Sequence, residues 1–394
     1  MSSAKKLATI ANGRNLKALS KGQEINFVYE EDKLHSKCKR LFHSGHEYVK
    51  SLTNYNFNNV CNFTINSSDM FVKNFALKMT LTAGTYTLPP CFLAQSIEYI
   101  RVTYPGESQR REISGETNHL ISLYEADRDK TDELIDLCGG NVNVVNPASD
   151  VTYYLSLNIL TASVNPQIAK WFPVHLCGQN IDVSIKFRKT SDCVVTGTPV
   201  MQNAEILYTR CNILDHQQLK SKNEVYQMQW RDVVDYKYRY TGSVTANNPA
   251  TIRLDAISEI GEFDMLYWAT KDSDINTNKN YNAGERLSQV KLMLNDRVIS
   301  LGDSKFKELL ALWKHKKDLK FTCGGEQRYY DVDFSAMSYK DQIMKRTYVP
   351  ATDVSQSDIK LEFLQPTAVQ STLNVLGVYK SFFVFKNGLV QIVK

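Results

Sequence analysis

Residues 113–140 read ISGETNHLISLYEADRDKTDELIDLCGG, and residues 299–325 read ISLGDSKFKELLALWKHKKDLKFTCGG. Each stretch opens on an Ile-Ser pair, continues with apolar residues at helical spacing and closes on Cys-Gly-Gly. The first carries Leu120, Leu123 and Tyr124 behind Ser114 or Thr117, then Leu134, Ile135 and Leu137. The second carries Phe306, Leu309, Leu310 and Trp313 at i, i+3, i+4 and i+7. Ser304 can cap that helix, and Lys314, Lys316 and Lys317 lie near its negative end. The spacing predicts a helical insertion in each stretch, with the glycine pair as helix stop and turn.

What surrounds the two stretches repeats as well. A strand pattern precedes each, Ile97 to Tyr104 in one case and Gln289 to Leu294 in the other. The Ile-Ser pairs lie 186 positions apart (299 minus 113) and the Cys-Gly-Gly triplets 185 (323 minus 138). Downstream, Asp182-Val183-Ser184-Ile185-Lys186-Phe187 is echoed by Asp358-Ile359-Lys360-Leu361-Glu362-Phe363, an offset of 176 (358 minus 182). Two unrelated β domains could share any one of these short blocks. Four blocks in one order argue for an internal duplication, with units of about 170 to 180 residues.

The rest of each unit is strand grammar: short runs of Val, Ile, Thr, Tyr and Phe, bounded by Asn, Asp, Gly, Pro and Ser. They include Val60 to Ile65, Phe71 to Thr82, Val151 to Leu160, Ala204 to Ile213, Val233 to Tyr240, Thr251 to Ile257, Lys320 to Cys323 and Leu373 to Phe385. With 21 Tyr and 17 Phe available, aromatic and β-branched side chains can fill the sheet faces. Some eight strands per unit suit an all-β chain of two consecutive sandwiches. The expected division is an arm at 1–47, a first sandwich at 48–213, a polar linker at 214–227 and a second sandwich at 228–394.

The 394 residues carry 47 Lys plus Arg and 42 Asp plus Glu, a formal charge of +5. Residues 1–23 contain Lys5, Lys6, Arg14, Lys17 and Lys21 and no acid, so the remainder is neutral as a body. Leu7, Ile10, Leu16 and Leu19 give this head a loosely amphipathic helical pattern, suited to an anionic membrane surface or nucleic acid. Charge interrupts its apolar residues too often for a secretory signal, and no window is long and apolar enough for a spanning helix. An intracellular product is therefore expected. The eight cysteines are scattered singly and read as free buried thiols, and the acceptor patterns at Asn62 and Asn66 as ordinary strand and turn residues.

Chemistry has few candidates. His35, Cys38, His43 and His46 have a spacing that could gather ligands around zinc, but one thiol with three imidazoles among Lys37, Lys39 and Arg40 is a poor structural set. No metal is expected there. A two-domain cupin would need a His-x-His pair on a strand, and after residue 50 only His119, His175, His216 and His315 remain, all isolated. There is no Gly-x-Ser-x-Gly elbow, phosphate-binding glycine loop or His-Glu-x-x-His. Neither an enzyme nor a cofactor is expected. The polar stretch Asp272 to Arg286, with Asn276, Asn278, Asn280 and Asn282, reads as an exposed outer loop.

Two matched β units, a helix inserted in each, a basic helical N-terminal arm and no catalytic signature together resemble the double jelly-roll major capsid proteins of the tectivirus and adenovirus lineage. Trp171-Phe172-Pro173-Val174, leading into Asp182-Val183-Ser184-Ile185-Lys186-Phe187, is similar to the late first-jelly-roll region of large DNA-virus capsid proteins. Ala204-Glu205-Ile206-Leu207-Tyr208, ending at Leu214-Asp215, resembles their passage into the second jelly roll. The resemblance implies two eight-stranded jelly rolls with short helical insertions and a helical arm. It also implies a homotrimer with a nearly sixfold outline, tiling an icosahedral shell beside neighbouring capsomers, minor capsid proteins and vertex proteins. The arm would face an internal lipid membrane or the genome without reading nucleic-acid sequence. The protein would be made in the host cytoplasm and reside in the virion. The rival from another class is a two-domain β-sandwich glycan-binding protein, which exposed clusters of Trp and Tyr in a groove would favour.

Overall fold

The computed structural model describes residues 46–67, 71–106, 110–125, 128–140, 142–157, 172–211, 225–240, 250–254, 265–272, 289–303, 320–322, 326–328, 330–333, 359–364 and 371–393. Most of them lie in antiparallel strands. The first half contains β1 (His46–Ser51), β2 (Val60–Ile65), β3 (Phe71–Leu81), β4 (Thr87–Leu88), β5 (Ile97–Thr103), β6 (Arg110–Ile113), β7 (Val144–Val145), β8 (Val151–Ser156), β9 (Ile181–Phe187) and β10 (Met201–Cys211). The second contains β11 (Tyr226–Tyr240), β12 (Ala250–Arg253), β13 (Met265–Asp272), β14 (Gln289–Leu294), β15 (Arg297–Asp303), β16 (Lys320–Thr322), β17 (Glu326–Arg328), β18 (Tyr330–Asp333), β19 (Ile359–Leu364), β20 (Ser371–Lys386) and β21 (Leu389–Val393).

Strand order makes the duplication explicit. The first half forms the sheets β1-β10-β3-β8 and β2-β9-β5-β6, and the second forms β11-β20-β13-β18 and β12-β19-β14-β15. With the two-stranded pieces β4-β7 and β16-β17 and the added strand β21, which pairs with β20, set aside, each half has eight sheet strands. Numbered along its own chain, each half has the same two orders, 1-8-3-6 and 2-7-4-5. That order, with first and last strands adjacent in one sheet and every neighbour antiparallel, is the jelly roll.

Period-2 alternation explains the first core. β9 buries Ile181, Val183, Ile185 and Phe187 and turns Asp182 outward, while β3 buries Phe75, Leu77, Met79 and Leu81 from the facing sheet. Four short helices among the described residues close its flank: α1 (Phe92–Ser96), α2 (Gly115–Glu125), α3 (Arg128–Cys138) and α4 (Thr190–Cys193). Ser114 caps α2, its hydroxyl accepting from Thr117 N–H at 3.1 Å. Cys138-Gly139-Gly140 ends α3 as anticipated. Gly139 N–H donates to Asp136 O at 3.2 Å and Gly140 N–H to Ile135 O at 2.9 Å, and both glycines have positive φ.

One expectation changes: the first helical insertion is a pair, α2 and α3, instead of one helix. Ile299-Ser300-Leu301-Gly302 lies in β15, as Ile113 closes β6 in the first half, and β15 pairs with β14 across the two-residue turn Asn295-Asp296. Both turn residues have positive φ, the signature of a type I′ hairpin, whose twist matches that of the flanking strands. The helix expected from Ser304 and the second Cys-Gly-Gly at 323–325 lie outside the described residues.

Candidate functional site

The feature that organises the described residues is the seam between the two jelly rolls. It begins in strand length. β1 and β10 have 6 and 11 residues, whereas their counterparts β11 and β20 have 15 and 16. β13 pairs with β20 only from Ser371 to Val378, and β21 takes the same edge from Phe382 to Lys386. The ends of β11 and β20, with β21, thus continue past their own sandwich as a three-stranded ribbon.

That ribbon plugs the first jelly roll. Phe383 and Phe385 are at most 1% exposed and meet Tyr104 and Phe172 of the first half. Ring centroids lie 5.1 Å apart for Tyr104–Phe383, 5.6 Å for Phe172–Phe383 and 5.4 Å for Phe172–Phe385, all edge-on. Such pairs contribute about 1 kcal/mol each beyond the apolar area they bury. The Arg111 guanidinium sits over the Phe383 ring at 5.8 Å. Phe383, Phe385 and Val390 belong to the same buried cluster as Phe63, Leu77 and Ile185, so the first core is completed by the end of the chain.

Backbone bonds fix the angle. Val390 N–H donates to Pro105 O at 2.7 Å, and Gly178 N–H donates to Gly388 O at 2.6 Å. Gly388, with φ +76, forms the two-residue turn between β20 and β21 with Asn387. A Cβ there would stand 2.8 Å from the Gly178 Cα, so the two chains touch glycine to glycine. A second tie lies at α2, where the Thr117 hydroxyl donates to the Asp235 carboxylate of β11 at 2.6 Å.

The helical flank beside this tie is unusually polar inside. Glu116, Thr117, Asn118, His119 and Ser122 are all buried. The Asn118 amide donates to Ser156 O at 2.5 Å, the Ser122 hydroxyl to Asn118 O at 2.9 Å, and Arg188 lies 3.8 Å from Glu116. His119 Nε2 is buried with no hydrogen-bond partner among the described residues. Burial pushes its pKa down to about 4, because the imidazolium would be stripped of solvent.

The first roll has two unlike poles. At one, β1 starts opposite Arg210, β10 ends opposite Phe71, and the ribbon docks. At the other, three loops knit together: Thr82 N–H donates to Val200 O, Gly84 N–H to Pro147 O, Asn146 N–H to Tyr86 O and Thr87 N–H to Thr196 O, at 2.8–3.3 Å. In the second roll Asp272 pairs with Ser371, at the opposite end of β20 from the docked hairpin. Those ends are about 50 Å apart at the rise of an extended strand.

The residues singled out in the sequence fall unevenly on this frame. Asp272 is the last residue of β13, while Asn276, Asn278, Asn280 and Asn282 lie outside the described residues. So do Lys5, Lys6, Arg14, Lys17, Lys21, His35, Cys38 and His43, and His46 opens β1. Among the described residues no three His, Cys, Asp or Glu side chains are grouped to hold a metal ion, and no helix is long and apolar enough to cross a membrane. The seam residues Tyr104, Phe383, Phe385 and Gly388 were not anticipated as a site. The Asn387-Gly388 dipeptide after an aromatic strand was the available signal, since that pair favours a tight hairpin.

No protein-family model and no curated protein sequence matches the chain. Solved structures do share its fold. The PBCV-1 virus capsid superposes with a TM-score of 0.64 at 11% identity, over 89% of this chain and 97% of that one. The Faustovirus major capsid protein gives 0.58 at 8% identity, over 87% and 91%. The mavirus major capsid protein gives 0.54 at 8% identity, over 90% and 90%. The chain therefore has the double jelly-roll fold found in these viral major capsid proteins, at 8–11% identity.

Proposed function

We propose that this chain is a viral major capsid protein whose role is structural and involves no catalytic step. The observation that carries the reading is the seam: two jelly rolls of identical strand order, fixed to one another by a buried aromatic plug and glycine-to-glycine backbone contact. A shell tile needs that rigidity, because error in the angle between its two halves would accumulate across a lattice. Three copies of such a unit place six similar wedges around one axis, giving a threefold trimer with a nearly sixfold outline that packs hexagonally.

In this reading the pole with Asp272 and its following loop faces outward. Lys5, Lys6, Arg14, Lys17 and Lys21 lie on an inward arm against an internal membrane or the genome. Five cations at about 1 kcal/mol each hold weakly per copy, but many copies in a shell hold by avidity. Neighbouring capsomers, minor capsid proteins and vertex proteins are the partners, and the virion is the destination after synthesis in host cytoplasm.

Mass measurement on the purified chain tests the reading. A trimer of 134.7 kDa, three times 44.9 kDa, is expected, and a chain that stays monomeric at micromolar concentration would overturn it.

A further inference from the structure

Cys91 and Cys138 meet on the helical flank, away from the seam. Cys138 is the last residue of α3 and Cys91 immediately precedes α1, and both are fully buried. The two segments cross closely. Cys91 N–H donates to Gly140 O at 3.0 Å, the Cys91 thiol lies 3.8 Å from that same oxygen, and the Cys138 thiol lies 3.9 Å from Cys91 O. Each thiol therefore sits against the other's segment.

Two further features mark the spot. Cys91 has φ +48, a left-handed conformation that a residue with a β-carbon adopts at a cost, held here by the surrounding contacts. A Cβ at Gly139 would stand 2.8 Å from Phe92 N, so only glycine lets the segments approach this far. Nearby, the Tyr153 hydroxyl is buried with no hydrogen-bond partner among the described residues, and the Cys138 thiol is among the groups that raise its pKa.

We propose that Cys91 and Cys138 form a disulfide latch when the reduced chain meets a small-molecule disulfide such as oxidised glutathione. One thiolate attacks the glutathione disulfide and expels a glutathione thiolate. The second attacks the resulting mixed disulfide and expels another, so the protein loses two electrons and two protons and two glutathione thiols are formed. The bond ties the end of α3 to the start of α1 across 47 positions of chain. If the capsid reading holds, the tile is assembled reduced in cytoplasm and latched in the oxidising exterior. That consequence rests on the reading, whereas the bond does not.

The full-length chain is incubated in reduced and in oxidised glutathione buffers, denatured, alkylated, digested and weighed. The oxidised sample should show one cross-linked peptide pair joining Cys91 to Cys138, removed by reductant and absent from Cys91→Ser and Cys138→Ser variants. Cys61, Cys177 and Cys193 should remain alkylated throughout. The melting temperature should rise by roughly 5–10 °C, as a loop of this length predicts. Full alkylation of both cysteines overturns the latch, provided the denatured, reduced chain has also been refolded in oxidising buffer so that burial is no barrier. A cross-link that lowers the melting temperature overturns it too, because the native geometry would then exclude the bond. A monomeric mass would remove the capsid reading and leave the thiol result standing.

Discussion

The two jelly rolls share a strand order and differ in how their equivalent corners are built. Between β14 and β15 the chain turns on two residues, Asn295 and Asp296, and the Lys360 ammonium reaches the Asp296 carboxylate at 2.8 Å. The equivalent corner of the first roll, between β5 and β6, is a longer loop carrying Tyr104, Pro105 and Gly106. Pro105 O accepts from Val390 N–H, Tyr104 stacks edge-on to Phe383, and a Cβ at Gly106 would stand 2.9 Å from Val390 O. One corner is a plain turn and the other is a socket. The plug that fills it comes from the second roll's over-long first and last strands. Duplication supplied two copies of a fold, and unequal loops and strand lengths turned them into a donor and an acceptor.

Removing the plug should hurt most. Phe383→Ala leaves a cavity between Tyr104, Phe172 and Phe385, and a loss of about 3–5 kcal/mol is expected. Denaturant unfolding of the native chain should show one transition, and that of the variant should separate into two. A variant that still unfolds in a single step would mean the rolls are coupled elsewhere.

Acid tests the helical flank that only the first roll is seen to have among the described residues. His119 is held neutral in the folded chain, with a pKa of about 4, whereas the unfolded chain binds a proton near 6.5. The unfolded state therefore binds more protons between those values. Stability from this residue is complete above pH 6.5 and is lost as pH falls towards 4, by about 3 kcal/mol. A His119→Leu variant should flatten that part of the stability–pH curve. An unchanged slope would assign the acid sensitivity to another group.

The smallest effect concerns the polar tie between the rolls. Thr117→Val removes the donor to Asp235, and a loss of about 1 kcal/mol is expected by thermal unfolding, since Asp235 is exposed and water can replace the hydroxyl. A loss as large as that of Phe383→Ala would shift the weight of the seam from its aromatic plug to its polar contact.

Several elements were legible because their cause is local. Ile181–Phe187 and Gln289–Leu294 alternate along their length, and the structure has strands at those same limits. Cys138-Gly139-Gly140 ends a helix because two consecutive glycines accept the positive φ that closing α3 demands. β15 was not legible. The Ile-Ser pair at 299 matches the one at 113, whose isoleucine closes β6, and only the pairing with β14 shows the segment from Arg297 to be the same corner strand. β1 was hidden for a related reason: the run around Phe42, His43 and His46 reads as amphipathic, and pairing with β10 from His46 onward is a long-range event.

The sequence alone determined the duplication, the all-β class and the concentration of positive charge in the first 23 residues, because strand periodicity, helix stops and charge position are local properties. Tertiary structure decided everything about how the halves meet. Tyr104 and Phe172 lie more than 200 positions from Phe383 and Phe385, and no pattern within either segment marks it as socket or plug. Their match exists only as shape, once β11 and β20 have run past their own sandwich and brought Gly388 against Gly178.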